Sequence, residues 1–441
     1  MSEREHWSEA QAERRLRSLE LFGMRFGLER MRRMMTALGS PERSFDAIHV
    51  LGTNGKSSTT RMTAAILRRH GLRTATYTSP HLVSYKERIE IDGRELDADA
   101  FAAAVARASW AAERVNRTLA EDDHVTQFEL LTAAALWEMA RAEVEVAVIE
   151  AGLGGRYDAT SVIEPRVSVL TSVGLEHTRW LGPTVTHIAE EKLAAVRDGA
   201  ALVVGEDLDP EALAVAERVA AERGVRILRA EPLREPLALS APGAFQRRNF
   251  ALARAAAGAY LRSRGCEPGE RAVAQAAAAT LVAGRLQLID RDPPTLLDGA
   301  HNPHAVRALV EALPEVLDRG ASIALVLGVL EDKDAAGMLA ALLGLVERAW
   351  FTAPPSGRAL SPAALQSLAR QQGFTASACE PRPRRALELA RGWAAAQGGP
   401  GARSGAVLAT GSVYLVGELL HALEPERAAA HTRAVGGGAA R

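Results

Sequence analysis

Seven residues, Gly52-Thr53-Asn54-Gly55-Lys56-Ser57-Ser58, place small side chains, one amine and three hydroxyls in an order suited to holding phosphate. They follow the apolar run Phe45–Leu51 and open a helical stretch reaching about His70. Small residues let backbone N–H groups turn inward around phosphate oxygens, and a helix N-terminus adds its positive dipole end. Lys56 is then expected to reach the outer phosphates, and a Ser57 or Ser58 hydroxyl to face a magnesium ion. The stretch departs from the strict GxxxxGK[ST] pattern, because Val50 stands at the first glycine position.

Other polar residues follow apolar runs in the same way. Val144–Ile149 ends at Glu150, and the glycine-dense turn Ala151–Asp158 follows. A carboxylate there lies where α/β sheets bind ligands and offers a hard oxygen to magnesium; a helix-capping role reads equally well. Glu176-His177 comes after the strand Arg166–Thr171, Ser79-Pro80-His81 after Thr74–Thr78, and Asp298-Gly-Ala-His301-Asn302-Pro303 after strand 295–297. Together these strand ends imply a nucleotide–metal site between two α/β domains. Four of the 53 basic residues are lysine: Lys56, Lys86, Lys192 and Lys333. Lysine should persist where a compact ammonium or an amine able to lose its proton is needed. That marks all four positions, and it argues mildly against reading Glu190-Glu191-Lys192 as an ordinary exposed helical charge cluster.

The elements that must carry these residues alternate between strand and helix. The first 40 residues read as helix, with Leu16, Leu19, Phe22 and Phe26 on one face. Strands 45–51, 74–78, 144–149, 166–171, 201–204 and 225–228 alternate with helices, which predicts a parallel sheet. Asp290–Pro294 reads as a linker. After it, five strands alternate with helices to about residue 423, a Rossmann-like pattern. The expected domains are 1–290 and 292–425, with 426–441 a disordered tail. The 441 residues are 47% apolar and 24% charged with net charge −1, which excludes a wholly disordered chain and any general attraction to nucleic acid or anionic membrane. The longest apolar run, Ala335–Val346, is too short to span a membrane, and the N-terminus lacks a secretory apolar core. Cys266 and Cys379 read as reduced thiols, so a cytoplasmic protein is expected.

The motifs resemble the folylpolyglutamate synthase and dihydrofolate synthase family of the Mur ligase superfamily. GTNGK at 52–56, TSPHLVSYKERI at 78–89, TQFELLT at 126–132, EAGLGGRYDAT at 150–160, EHTRWLG at 176–182, GRLQ at 284–287, DGAHNPHA at 298–305, GVLEDKD at 328–334 and GSVYLVGE at 411–418 occur in the family's order. The resemblance implies an α/β fold with an N-terminal P-loop Mur-ligase-like ATPase domain and a C-terminal Rossmann-like domain. It implies an ATP-dependent ligase that makes an acyl phosphate, which the amino group of L-glutamate attacks. The acceptor is dihydropteroate, the glutamate tail of a reduced folate, or both. A monofunctional folylpolyglutamate synthase, another Mur-type amide ligase, a non-ligase nucleotide switch and a non-catalytic scaffold are the alternatives.

By the same resemblance, Thr53, Asn54, Gly55, Lys56, Ser57, Asn249, Arg285, Asp298 and His301 contact ATP. Ser79, Glu150, His177 and a carbamylated Lys192 hold magnesium, with two sites expected, and Lys56, His177 and Lys192 serve catalysis. Arg25, Phe26, Gly27, Leu28, Thr126, Gln127, Phe128, Glu129, Tyr157, Asp158 and Ala159 face the pteroate. Ser57 stands where the family usually has glycine, Glu176 where aspartate is usual, and Arg25 where an acidic or neutral residue is expected. Small-molecule substrates and a monomer are expected, with no nucleic acid or membrane partner.

Overall fold

The computed structural model describes residues 7–19, 27–233, 237–318, 320–397 and 405–422. The chain divides into two compact units: Met1–Pro80 with Ser84–Ser240 and Gln246–Thr280, and His81–Val83 with Ala241–Phe245 and Leu281–Arg441.

The first unit holds one sheet of β1 (Asp46–Leu51), β2 (Thr74–Tyr77), β3 (Ile89–Ile91), β4 (Arg94–Glu95), β5 (Val146–Glu150), β6 (Pro165–Leu170), β7 (Ala201–Val204) and β8 (Arg226–Arg229). Their order is β4-β3-β2-β5-β1-β6-β7-β8. The six strands from β2 to β8 in that order run parallel, and β3 and β4 add an antiparallel edge. Val146, Ala147, Val148 and Ile149 are all fully buried, so both faces of β5 are covered, as an uninterrupted apolar parallel strand requires. The connection from β1 to β2 and the one from β5 to β6 run to opposite sides of the sheet. The carboxyl ends of β5, β1 and β6 therefore border a switch point, the usual ligand position in such sheets.

The second unit holds β9 (Gln287–Arg291), β10 (Pro294–Leu297), β11 (Ser322–Leu327), β12 (Arg348–Phe351), β13 (Ser377–Cys379) and β14 (Gly405–Thr410), in the order β13-β12-β11-β14-β10-β9. All are parallel except β9, which pairs antiparallel with β10. Period-2 burial splits β11 between two cores: Ile323, Leu325 and Leu327 join one cluster, Ala324 and Val326 the other. Helices Pro303–Ala312 and Pro362–Gln371 each start on proline after a capping residue, Asn302 and Ser361.

Two expectations are corrected. Asp290–Pro294 is not a linker: Asp290 and Arg291 end β9, Asp292-Pro293 makes the turn and Pro294 opens β10, so one sheet crosses residue 292, and the second unit takes in the chain from Leu281. The first 40 residues are not one helix. Glu9–Arg17 and Glu29–Leu38 are separate helices, and Gly27 between them has φ 132°, which a continuous helix cannot contain. Phe22 and Phe26 lie outside the described residues, as does the expected tail 426–441. The short antiparallel strands β3, β4 and β9 are additional to the strands read from the sequence; each is too short or too exposed to show a clear apolar period. Among the described residues, no helix is long and apolar enough to cross a membrane.

Candidate active site

The loop after β1 is stitched to the end of β6. Thr53 N donates to Ser172 O at 2.8 Å, Asn54 N to Ser172 Oγ at 3.0 Å, and Gly174 N to Thr53 Oγ1 at 3.1 Å. Thr171 Oγ1 lies 2.7 Å from Asn54 O and 3.1 Å from Leu51 O. Gly52 has φ 145°, and a Cβ there would run into Thr171 Oγ1. Gly55 has φ 85° and caps helix Lys56–Arg69; a Cβ there would meet Asn249 Oδ1. Both glycines are therefore required by backbone conformation and by close approach together. Asn249 Nδ2 donates to Gln246 Oε1 at 2.9 Å, so the asparagine is held against the loop by a fully buried glutamine.

Two lysines converge on this loop. Lys56 Nζ donates to Thr53 O at 3.1 Å and Lys192 Nζ to Gly52 O at 2.7 Å. Lys192 is 4% exposed, with Ile188 and Ala189 buried one turn earlier on its helix, Val185–Leu193, and Ala195 and Val196 buried just past the helix end. Burial, with the Lys56 ammonium nearby, pulls its amine down to about 7. At neutral pH a large share is therefore unprotonated. The neighbouring carboxylates turn outward: Glu191 pairs with Arg156 at 2.8 Å and Glu190 with Arg218 at 2.6 Å. The triplet thus splits into two surface charges and one buried amine.

Glu150 is 2% exposed at the end of β5 and accepts from Ser79 N at 3.1 Å. Register places Tyr77 beside Ile149 and Val50 beside Glu150, so Ser79, Glu150 and the phosphate-type loop share one rim. His177 lies beyond β6 in the left-handed region at φ 52°, 3.7 Å from Glu176 Oε1. Among the described residues, no three His, Cys, Asp or Glu side chains cluster tightly enough to hold a metal by themselves. Magnesium is commonly held by one or two carboxylates together with water and phosphate oxygens, so a small set of side-chain donors suffices. Buried Glu150, tied to Ser79 at the strand end, offers hard oxygen of the kind magnesium takes.

The glycine-rich turn after Glu150 is tied down by a buried chain. Asp158 accepts from Leu153 N at 2.7 Å, Thr160 N at 3.0 Å and Thr160 Oγ1 at 2.5 Å. Thr160 Oγ1 in turn receives His49 Nε2–H at 2.8 Å. His49 is fully buried on β1, and its Nδ1 has no hydrogen-bond partner. Burial holds the Asp158 carboxyl above its usual range despite these donors. A Cβ at Gly155 would meet the Lys192 carbonyl, and one at Gly152 would come within 2.5 Å of the Phe128 ring.

The expected pteroate residues divide. Phe128 is half-buried with its ring 6.1 Å from that of Tyr77, and Tyr157 is 46% exposed. Gln127, Glu129, Asp158 and Ala159 are buried, and Gln127 Nε2 donates to Leu16 O at 2.8 Å. Thr126 caps helix Gln127–Arg141. Leu28 is buried just before helix Glu29–Leu38, beside Gly27. Arg25 and Phe26 lie outside the described residues.

In the second unit, Asp298 directly follows β10 and accepts from Leu286 N and Ala300 N, both at 2.7 Å. Gly299 N donates to Gly284 O at 2.9 Å and Gly411 N to Ala300 O at 3.0 Å, which joins GRLQ, DGAHNP and the start of GSVYLVGE at one rim. Arg285 Nη1 donates to Gly284 O at 3.0 Å, and His301 Nδ1 lies 2.8 Å from Gly299 O. Sequence reasoning missed His49, Thr171, Ser172, Arg30 and Gln246. Thr171-Ser172 had a signal, since hydroxyls directly follow a strand; the others lie inside apolar or charged runs without one.

Residues 50–228 match the model of the Mur ligase middle domain, and residues 284–413 that of the Mur ligase glutamate ligase domain. The chain is 33% identical over 411 residues to the dihydrofolate synthase/folylpolyglutamate synthase of Escherichia coli K12, covering 91% of this chain and 92% of that one. The chain belongs to this family. It is 35% identical over 368 residues to the folylpolyglutamate synthase of Lacticaseibacillus casei, covering 76% and 84%. Among solved structures of the family, Mycobacterium tuberculosis folylpolyglutamate synthase complexed with ADP superposes with TM-score 0.88 at 30% identity, covering 94% and 98%. E. coli FolC in complex with DHPP and ADP gives 0.80 at 29%, covering 96% and 99%.

The His49 chain makes a pH prediction. Burial lowers the imidazole from 6.5 to about 3, so the folded protein refuses a proton that the unfolded chain takes up below 6.5. Its contribution is intact above pH 6.5 and is lost as pH falls from there towards 3, by about 1.4 kcal/mol per pH unit. Urea unfolding of wild type and His49→Asn between pH 6 and 4 should show a shallower loss in the variant. Equal slopes would contradict a buried neutral histidine.

Proposed function

We propose that this chain is a bifunctional dihydrofolate synthase/folylpolyglutamate synthase. It is an ATP-dependent ligase that joins the amino group of L-glutamate to a carboxylate of dihydropteroate and of reduced folates. The observation that carries the reading is the glycine loop braced by β6 and two lysines, in a chain that matches a bifunctional relative over nine-tenths of its length.

A carboxylate is a poor electrophile, and transfer of the ATP outer phosphoryl group gives it a leaving group. The L-glutamate amine then attacks the acyl phosphate, and phosphate departs. Loop amides of Gly55–Ser57 bind the ATP phosphates, Thr53 and Asn54 shape the loop through their amide bonds to Ser172, and Lys56 follows the charge of the transferring group. Magnesium, when bound, neutralises phosphate charge that would repel an anionic acceptor. Glu150, Ser79 and His177 would hold it, with Lys192 as a second-site ligand. Lys192 acts as a carbamate: its neutral amine adds carbon dioxide and releases a proton, which replaces a cation with two hard oxygens. Burial and a lowered pKa favour that neutral amine. Asn249, Arg285, Asp298 and His301 complete the ATP contacts, Asp298 by shaping its loop through Leu286 N and Ala300 N. Phe128 and Tyr157 offer rings to the pteroate. The reading implies a cytoplasmic, monomeric enzyme with small-molecule substrates.

Three experiments test it. With ATP, magnesium and L-glutamate, the protein should convert both dihydropteroate and tetrahydrofolate; conversion of tetrahydrofolate alone would make it monofunctional, and conversion of neither would refute the reading. Lys56→Ala should stay folded and lose at least about a hundredfold in kcat, the scale of one lost charge-stabilising donor; near-normal turnover would refute the phosphate-loop assignment. Lys192→Ala should be inactive and regain partial activity with added short carboxylic acids. Full activity in this variant, with no mass increase for carbon dioxide on the native lysine, would return Lys192 to a structural role.

A further inference from the structure

We propose that Arg30 and Glu129 form a clamp that positions the pteroate-binding wall, and that Glu129 acts through Arg30 instead of touching substrate. The proposal rests on the folate reading above.

Arg30 lies two residues after Leu28, on helix Glu29–Leu38, and is only 6% exposed. Its Nε donates to Glu129 at 3.0 Å to Oε1 and 3.2 Å to Oε2, and its Nη1 to Asp123 Oδ1 at 2.9 Å. One guanidinium thus grips both the first turn of helix Gln127–Arg141 and the connection leading into it. Glu129 Oε2 also accepts from Thr126 N at 2.8 Å and Thr126 Oγ1 at 3.0 Å, while Thr126 Oγ1 caps Glu129 N. Both carboxylate oxygens are engaged, and the side chain is 8% exposed. Gln127 is turned inward to Leu16 O. Of the four residues 126–129, that leaves Thr126 and Phe128 half-buried.

The consequence falls on Phe128. Its ring is packed so tightly over Gly152 that a Cβ there would come within 2.5 Å. A change in the pitch of this first turn shifts the ring against the glycine-rich turn. The clamp therefore couples residues 27–30, the 126–129 turn and the turn at 152–158. A buried ion pair serving stability alone would be costly to break, but would leave substrate affinity unchanged in molecules that remain folded. A carboxylate that bound substrate directly would act independently of Arg30.

The test uses the full chain with Arg30→Lys, Arg30→Met, Glu129→Gln and the Met/Gln double variant. Glutamate-dependent phosphate release is measured below each variant's unfolding temperature. KM for dihydropteroate and tetrahydrofolate should rise at least fivefold in Arg30→Met and Glu129→Gln, with KM for ATP within twofold of wild type. The double variant should be no worse than the worse single variant, because the two act as one unit. Arg30→Lys keeps the charge without the planar fork, so it should fold and show a smaller rise. Unchanged pterin KM in folded variants, Arg30→Lys included, overturns the clamp. Effects that multiply in the double variant also overturn it, since Glu129 would then meet substrate on its own. A wild type inactive on both pterins overturns the folate reading and the clamp's role with it.

Discussion

The carbonyl of Gly52 accepts the buried amine of Lys192 at 2.7 Å, and Gly52 itself sits where a Cβ would run into Thr171. This contact binds the phosphate-type loop to a helix that lies 140 residues further along the chain. It brings a desolvated amine, a second lysine and a strand end together, and the surrounding structure serves to hold them there. The Lys192 helix keeps its outer face wet through Glu190 and Glu191, which pair with Arg218 and Arg156. The glycine turn 152–158 packs on the backbone of that helix, since Gly155 has no room for a Cβ against the Lys192 carbonyl.

Several buried polar groups are joined in chains instead of pairs, although His49 Nδ1 stays without a partner. His49, Thr160 and Asp158 form one such chain, running from β1 to the amide of Leu153. Arg30, Glu129 and Thr126 form another, which fixes the start of a helix. In each, a group that would be costly to bury alone is held by donors from two or three separate elements. Such chains make local geometry depend on distant segments. The second unit uses a simpler device: Asp298 receives two amides of neighbouring loops and so shapes the rim carrying Arg285 and His301.

Much of the fold was written in local pattern. The strands β1, β5, β6 and β7 are largely apolar runs and β2 is a short β-branched and aromatic one, and their ends were legible to within two residues. Parallel strands buried on both faces leave that signature whatever surrounds them. The antiparallel strands β3, β4 and β9 were not legible, because two to five residues at a partly exposed edge carry no usable period. The Asp-Pro-Pro sequence at 292–294 looked like a boundary because proline and charge mark hairpin turns and linkers alike; only its pairing partners distinguish them.

For the site, the sequence by itself determined which residue types stand at strand ends: Lys56, Glu150, His177 and Asp298, each after an apolar run. It also determined that lysine is scarce, which marked Lys192 together with Lys56, Lys86 and Lys333. Tertiary structure decided which way each side chain faces. Lys192 points inward beneath the loop while its two acidic neighbours point out, and Glu129 turns to Arg30 while Phe128 turns to Gly152. The physical reason is range. Burial, desolvation and ion pairing depend on partners 99 and 140 residues distant in the chain, and no local pattern encodes them.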